Sequence, residues 1–512
     1  MSNCEKDKLN DCNLFYKNNK ITIIAFLVAL VSSLIVYGFE ITHFTLSIDE
    51  EFKNNIRHTI IRGRWGDAFL KKFILPEPFT PFFTTLFSLC ILSITSTITT
   101  FSLRLSFPEA VIFSLIYISL PQFAYQLQFS SQADTFSISI LACTLGIYYI
   151  IHSKNTLKKY ILASSLICFA TSIYQTAVFY AFTLYISHIA IFSIKEKKLN
   201  ANMRDMIISI AILCASVLQY FFISYIIRKI YGVAEDSYFA EMIGWNKANV
   251  IVTLTNLYYF IINYFINNGP YGLNIYGLSV ILVLTIIFKT MKQNISLAAV
   301  YFCVFTILIL SPFLLNILIG AGMPARTMIS LPLAFAVVFT ALVKVSQHRM
   351  KLYIAAFTIL LMGANSSSQL FYTDYIAYKR DYRIASEIIM DLNHQYNYSL
   401  AQPINVYFYG AVDLTPIDLH KNSDMFGSSF LNWDNGNSAR ISAFINATAI
   451  ANISFVTYSQ VSQYQSSIDK APNWPQKGSI IRVGDFIVVK LGNSPGNCIN
   501  GLYKNINPER CR

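Results

Sequence analysis

The long apolar runs of this chain, each roughly 17 to 25 residues, match the length needed to cross the hydrocarbon of a bilayer. In lipid the backbone of such a run must satisfy its own polar groups, and a continuous apolar run does so as a helix. Composition agrees, since 54% of the 512 residues are hydrophobic and only 13% are charged, against about a quarter in a soluble domain. A net charge of +12 would suit nucleic acid, but the basic residues sit in short loops between apolar runs. That placement marks membrane topology and argues against a nucleic-acid partner.

Charge also orients the chain. The first run, Ile21 to Phe39, follows Lys6, Lys8, Lys17 and Lys20, which predicts a cytoplasmic tail over residues 1–20. No small-residue cleavage site follows, so the run reads as an anchor. Further spans are expected near Pro81 to Leu103, Ala110 to Gln126, Ala133 to Ile151, Tyr160 to Gln175, Ala177 to Ile194 and Met206 to Ile226. Later ones fall near Tyr271 to Phe288, Ile295 to Leu315, Met328 to Val343 and Leu352 to Phe371. On this reading Arg104, Lys158, Lys159, Lys197, Lys198, Lys289, Lys292, Lys344 and Lys351 all share the side of the N-terminus.

The run from Val250 to Phe265 breaks the rule, because counting it as a span reverses every later loop. It is rich in Tyr and Asn, and residues 250–267 read as an interfacial or re-entrant helix. About eleven spans remain over 21–371, which puts residues 372–512 outside the cytoplasm.

That tail has mixed character. Charged helical spacing from Thr373 to Tyr396 continues the last span as an amphipathic helix. Asn405 to Tyr409, Ile453 to Tyr458, Ile480 to Val483 and Phe486 to Leu491 read as strands, the last two turning at Gly484-Asp485. Ser438 to Ile450 reads as a helix, and the whole suffices for a small α/β core. Cys498 and Cys511 lie in this outer part and either close a short disulfide loop or remain free. No Cys/His cluster suggests a zinc or redox site.

Ionisable residues near a membrane carry the chemical information, since each costs free energy unless paired, solvated or used. The densest set follows the first span: Glu40, His43, Asp49, Glu50 and Glu51, then Arg57, Arg62, Arg64, Lys71, Lys72 and Glu77. A carboxylate can take a proton from an attacking hydroxyl, and a guanidinium can hold phosphate oxygens in a bidentate fork. Trp65 suits a membrane interface and can also stack on a sugar. Such a set serves a reaction between a lipid phosphate and a polar acceptor, or simply a solvated loop. Asp134, Tyr174 with Gln175, and Arg326 lie at the outer ends of other spans, as interface anchors or as the lining of one outward-facing cavity. Lys490 interrupts an apolar strand and reads as a strand-face lysine or, second, as a ligand.

A family resemblance joins these segments. Tyr37-Gly38-Phe39-Glu40 leads into Ser47-Ile48-Asp49-Glu50-Glu51, and Gly63-Arg64-Trp65-Gly66, Tyr174-Gln175, Arg326 and Thr373-Asp374 follow. Asn432-Trp433-Asp434-Asn435-Gly436, Pro472-Asn473-Trp474-Pro475 and Val488-Val489-Lys490-Leu491 extend it through the tail. With these motifs the chain resembles the serotype-converting O-antigen glucosyltransferases, polytopic enzymes that add glucosyl branches to lipopolysaccharide.

The resemblance implies a type C-like membrane glycosyltransferase with a C-terminal α/β periplasmic domain, in the bacterial inner membrane. It implies a polyprenyl phosphate-linked sugar as donor, a hydroxyl of the lipid-linked O-antigen as acceptor, and a single inverting displacement. Asp49 or Glu50 would be the general base, with Glu40 as the alternative base or an orienting group. Arg62, Arg64 and Arg326 would hold the phosphate, and Asp134, Tyr174 and Gln175 would line the sugar pocket. A carboxylate pair can bind a divalent cation, but the Asp49-Glu50-Glu51 row departs from an Asp-x-Asp pattern and nothing requires a metal. The absence of a Gly-rich nucleotide loop from the sequence is consistent with a lipid donor. The competing readings are a flippase for lipid-linked sugars, an O-antigen polymerase and a non-catalytic anchor. No internal repeat supports the transporter.

Overall fold

The structure is a computed structural model that describes residues 3–52, 55–77, 80–152, 156–198, 203–235, 241–266, 273–397, 402–413 and 424–496, without the side chains of 3–19 and 81. Its contacts separate two compact units. One comprises the described parts of Met1–Thr42, Thr59–Glu235 and Ala240–Ser368, and the other those of His43–His58 and Gln369–Arg512. Cys498 and Cys511 lie outside the described residues.

The first unit is helical. It begins with α1 (Asn3–Thr42), α2 (Ile56–Ile61, shared at its start with the second unit), α3 (Trp65–Phe73), α4 (Pro81–Ser102) and α5 (Phe107–Ser119). Then come α6 (Ala124–Leu127), α7 (Ala133–His152), α8 (Leu157–Ile173), α9 (Ala177–Glu196) and α10 (Met203–Tyr231). Helices Val250–Phe265, Leu278–Met291, Ile295–Leu310, Leu314–Ile319 and Leu331–Val345 follow, then Arg349–Tyr396, which continues into the second unit.

Among the described residues seven helices are long and apolar enough to cross a membrane, and a bent pair makes an eighth. The sequence suggested about eleven. Every expected span does coincide with a helix, but three are short: α8, Leu278–Met291 and Leu331–Val345, of 17, 14 and 15 residues. An apolar run also counts residues that the backbone spends on turns. Arg326 and its neighbours form a 3-10 turn before Leu331, and Tyr174 leaves α8 in an extended conformation. A 14-residue helix reaches only about 21 Å at 1.5 Å per residue. Leu331–Val345 is buried along almost its whole length, as suits a helix that is apolar all round.

The eighth span is broken. The sequence reads as continuous from Ala110 to Gln126, yet α5 stops at Ser119, and Pro121 opens a 3-10 turn into α6 at a bend of 46°. Proline cannot donate the next helical hydrogen bond, so carbonyls are freed inside apolar surroundings. The buried Tyr37 hydroxyl answers two of them, at 2.8 Å from the Ile118 oxygen and 2.9 Å from that of Leu120. Gly363 meets the same break so closely that a Cβ there would overlap the Ser119 carbonyl. The hydroxyls of α4 are accommodated differently: Ser88, Ser93, Thr95, Thr97, Thr99 and Ser102 each donate to a carbonyl one turn back.

The second unit has a four-stranded sheet in the order β2-β1-β4-β3, from β1 (Ile404–Tyr409), β2 (Ile453–Phe455), β3 (Ile480–Val483) and β4 (Phe486–Lys490). β1 pairs parallel with β2 and β4, while β3 and β4 form an antiparallel hairpin through Gly484, whose φ is +60°. Alternation along β1 divides the unit into two layers. Val406 and Phe408 face a core of Ile384, Ile388, Leu392, Phe430, Ile441 and Phe444, which also receives Ile48. Tyr407 and Tyr409 pack with Val456, Val461, Ile468 and Val488.

Candidate functional site

Two clusters of charged side chains stand out, one in each unit. The first is built around α3. Gly63, at φ +75°, turns the chain out of α2, and Gly66 lets α3 press onto α8 where a Cβ would overlap Ser172. Both glycines of the Gly63-Arg64-Trp65-Gly66 motif therefore have steric reasons, and they fix where Arg64 projects.

Arg64 donates to Gln175 Oε1 and to Gln132 Oε1, each at 3.3 Å, and lies 5.3 Å from the centre of the Tyr174 ring. Gln175 returns a bond from Nε2 to the Arg62 carbonyl at 2.8 Å. The Tyr174 hydroxyl and the Gln126 amide both donate to the Arg326 carbonyl, and the Arg326 guanidinium lies over Phe129. Two turns along α3 from Arg64, Lys71 forms a 2.7 Å ion pair with Asp134 of α7, the side chains being 2% and 1% exposed. Asp67, on the same face of α3, is buried, and burial raises its carboxyl above the usual range against the pull of a Thr135 hydrogen bond, Lys71 and Arg64. Asp134 Oδ2 and Trp65 Nε1 are buried with no hydrogen-bond partner among the described residues.

The structure thus collects Arg62, Arg64, Asp134, Tyr174, Gln175 and Arg326 in the first unit. It adds Lys71 as the direct partner of Asp134, and it adds Asp67, whose spacing of four from Lys71 was the available signal. Trp65 is half-buried, its ring beside Phe169. Glu40, on α1 of this unit, is fully buried.

The second cluster centres on Arg440, in the first turn of helix Ser438–Ala447, whose N-cap Asn437 accepts from the Arg440 amide. Its side chain is 3% exposed. Nη1 donates to Glu51, Nη2 to Asp49 at 2.8 Å, and Nε to Asp434 at 2.7 Å. Every edge of the guanidinium is occupied by carboxylate, so Arg440 orients acids and is not placed to hold a phosphate. It also occupies the centre that a divalent ion would share between these carboxylates. Among the described residues no group of three or more Asp, Glu, His or Cys is arranged for a metal.

The three neighbouring acids of residues 49–51 have different environments. The Ser47–Glu50 turn closes through the Glu50 amide on the Ser47 carbonyl at 3.0 Å, and Glu50 Oε2 accepts from the Ser47 amide at 3.1 Å. Asp49 has φ +82°, a conformation that favours glycine or asparagine. Asp434 is also left-handed, at φ +52°. Such backbone persists where the surroundings determine it, here two carboxylates held on one guanidinium. The Asp49 side chain is 41% exposed and that of Glu51 is 0%. Burial pushes the Glu51 carboxyl up to about 7, against the attraction of Arg440 and with a smaller upward push from Asp49.

Two further carboxylates tie this segment to the rest of the unit. Asp374 accepts from the Ser47 hydroxyl at 2.7 Å and the Gly427 amide at 3.1 Å. Asp381, two turns along the same helix, accepts from Ser429 and the Phe430 amide. Lys490 is buried, and its ammonium donates to the carbonyls of Asp469 and Ala471, closing the end of helix Gln465–Lys470.

With this geometry in hand, comparison with known proteins gives one family: the sequence profile described as glucosyl transferase GtrII matches residues 38–345, more than half of the chain. Among curated proteins none matches.

Proposed function

Because the chain belongs to the GtrII glucosyl transferase family, we propose that it moves a glucosyl (hexosyl) residue from a polyprenyl phosphate-linked sugar to lipopolysaccharide O-antigen. The reaction takes place at the periplasmic face of the inner membrane. The observation that carries the catalytic part is the state of Asp49, a carboxylate oriented by a buried guanidinium yet still 41% exposed. A general base needs that combination of fixed direction and access.

The step is a single inverting displacement. An acceptor hydroxyl attacks the anomeric carbon, the bond from that carbon to the phosphate oxygen breaks, and polyprenyl phosphate leaves with the electron pair. The hydroxyl proton passes to Asp49, or to Glu50 if Asp49 only orients it. Glu40 is too buried to meet an acceptor directly and suits an orienting task. Arg62, Arg64 and Arg326, all half-buried, neutralise the departing phosphate. Asp134, Tyr174 and Gln175 bind the transferred sugar, with Lys71 holding Asp134 in place. Lys490, bound to two carbonyls, supports the fold of its own unit.

Purified protein given labelled polyprenyl-phosphate glucose and lipid-linked O-antigen is expected to transfer single sugars. Movement of lipid between leaflets without transfer would support a flippase, and lengthened chains a polymerase. Asp49→Asn separates charge from backbone, since asparagine accepts the left-handed conformation readily. It is expected to lower transfer by at least about 100-fold, the usual contribution of a general base, while leaving thermal unfolding close to that of the unsubstituted protein. If both Asp49→Asn and Glu50→Gln transfer at the normal rate, neither is the base.

A further inference from the structure

In the first unit the loop that leads to Arg326 is held from the side by two aromatic rings. Helix Leu314–Ile319 ends at Gly320, whose φ of +75° turns the chain while its amide donates to the Asn316 carbonyl at 2.8 Å. A helix end of this kind leaves carbonyls without a partner inside the helix. Trp245 Nε1 donates to two of them, lying 3.1 Å from the Ile317 oxygen and 3.1 Å from that of Leu318. The indole ring sits so close to Gly320 that a Cβ there would come within 2.8 Å of it, and a Cβ on Gly244 would overlap the Gly320 carbonyl. Gly322 is met in the same way by Phe260 of helix Val250–Phe265. That helix is itself anchored, with Tyr264 and Phe265 packed on the fully buried Phe313.

A Gly-Ala-Gly run has wide backbone freedom, so its order has to come from neighbours. Downstream of it, Pro324 fixes its own φ, and the Arg326 carbonyl accepts from the Gln126 amide and the Tyr174 hydroxyl. Only Met323, Pro324 and Ala325 lie between the aromatic contacts and Arg326. The guanidinium over Phe129 therefore projects from a backbone held on both sides. Such fixing matters for function, because a misplacement of about 1 Å at a reacting centre can cost about 100-fold in rate.

We infer that Trp245 and Phe260 are positioning residues for Arg326, holding Gly320 to Gly322 so that the guanidinium is already aimed when the donor phosphate arrives. The inference rests on the phosphate role proposed for Arg326. It gives the segment from Gly244 to Phe265 a task in donor binding.

The test uses the full chain in nanodiscs and two probes whose binding needs no transfer, farnesyl phosphate and the uncharged farnesol. Trp245→Ala is expected to weaken farnesyl phosphate about tenfold and to leave farnesol unchanged. The donor KM should rise by the same factor with the acceptor KM unchanged. Trp245→Phe, which keeps a ring on Gly320 and loses the N–H, is expected to recover part of the loss, and Phe260→Leu serves where Trp245→Ala folds poorly. A merely structural role would lower the melting temperature and move neither the phosphate binding nor the donor KM of the folded protein. Coupling decides the route: added to Arg326→Gln, Trp245→Ala is expected to weaken farnesyl phosphate no further. Normal farnesyl phosphate binding by folded Trp245→Ala and Phe260→Leu, or a double variant that loses the product of the two single effects, overturns the inference. Normal binding by Arg326→Gln alone would remove the phosphate role of Arg326 and the inference with it, a failure read in a different variant.

Discussion

Replacing Arg440 by methionine keeps the length of the side chain and removes the only cation shown bound to Asp49, Glu51 and Asp434 among the described residues. The consequences for the three acids differ. Asp49 and Asp434 are 41% and 29% exposed and can turn to water, but Glu51, at 0%, cannot. Breaking a buried pair from one side costs about 3–5 kcal/mol, because the remaining charge stays desolvated. Glu51 has an escape, since it can bind a proton, and its carboxyl already stands at about 7 with Arg440 present. Loss of the guanidinium removes the downward pull, so the carboxyl of Arg440→Met rises further. A carboxyl raised in the folded state binds protons more tightly there than in the unfolded chain. Its contribution therefore favours folding at low pH and is lost as pH climbs from the unfolded value near 4.3 through the folded one, at up to about 1.4 kcal/mol per unit. The variant is thus expected to lose about 3–5 kcal/mol at pH 8 and clearly less at pH 6. Adding Glu51→Gln should restore most of the loss at pH 8. The assay is denaturant unfolding of the full chain in detergent at both pH values, followed by tryptophan fluorescence; Trp433 and Trp474 pack against the core of this unit. Equal losses at pH 6 and pH 8, or a double variant as unstable as Arg440→Met, would refute a buried, partner-dependent Glu51.

Two more expectations concern the first unit. Lys71→Met leaves Asp134 buried without its ammonium and should cost about 3–5 kcal/mol by thermal melting, with Asp134→Asn added to it recovering part of the loss; a melt unchanged by Lys71→Met would mean the pair is not buried in the folded protein. Gly363→Ala should destabilise by about 1–3 kcal/mol through overlap with the Ser119 carbonyl, whereas helix propensity by itself would favour alanine by up to about 1 kcal/mol, so the sign of the change in melting temperature decides between contact and propensity.

What could be read from the residues follows from range. Apolar runs located the helices because length and hydropathy are local properties, and the hairpin at Gly484-Asp485 was visible for the same reason. Helix ends were less accessible: Pro121 was the signal for the break after α5, but an apolar run conceals whether a proline bends a span or ends it. Arg440 carried no signal at all. It stands 389 residues from Glu51, on a helix that patterning explains by its buried face alone. Asp67 is a lone acid among the basic residues Arg62, Arg64, Lys71 and Lys72, and only its separation of four from Lys71 places both on one face of α3.

The charge of each cluster bears on the choice between transfer and transport. In the first unit Arg62, Arg64, Lys71 and Arg326 outnumber Asp67 and Asp134, while in the second a single guanidinium meets three carboxylates. A flippase moves one amphiphile whole and needs a path that tolerates its phosphate throughout. A transferase that separates sugar from phosphate has to bind an anion in one place and a neutral polyol in another. The cationic excess in the first unit suits the anion, so Arg64→Glu is expected to raise the donor KM and spare the acceptor KM; equal rises in both would refute that assignment.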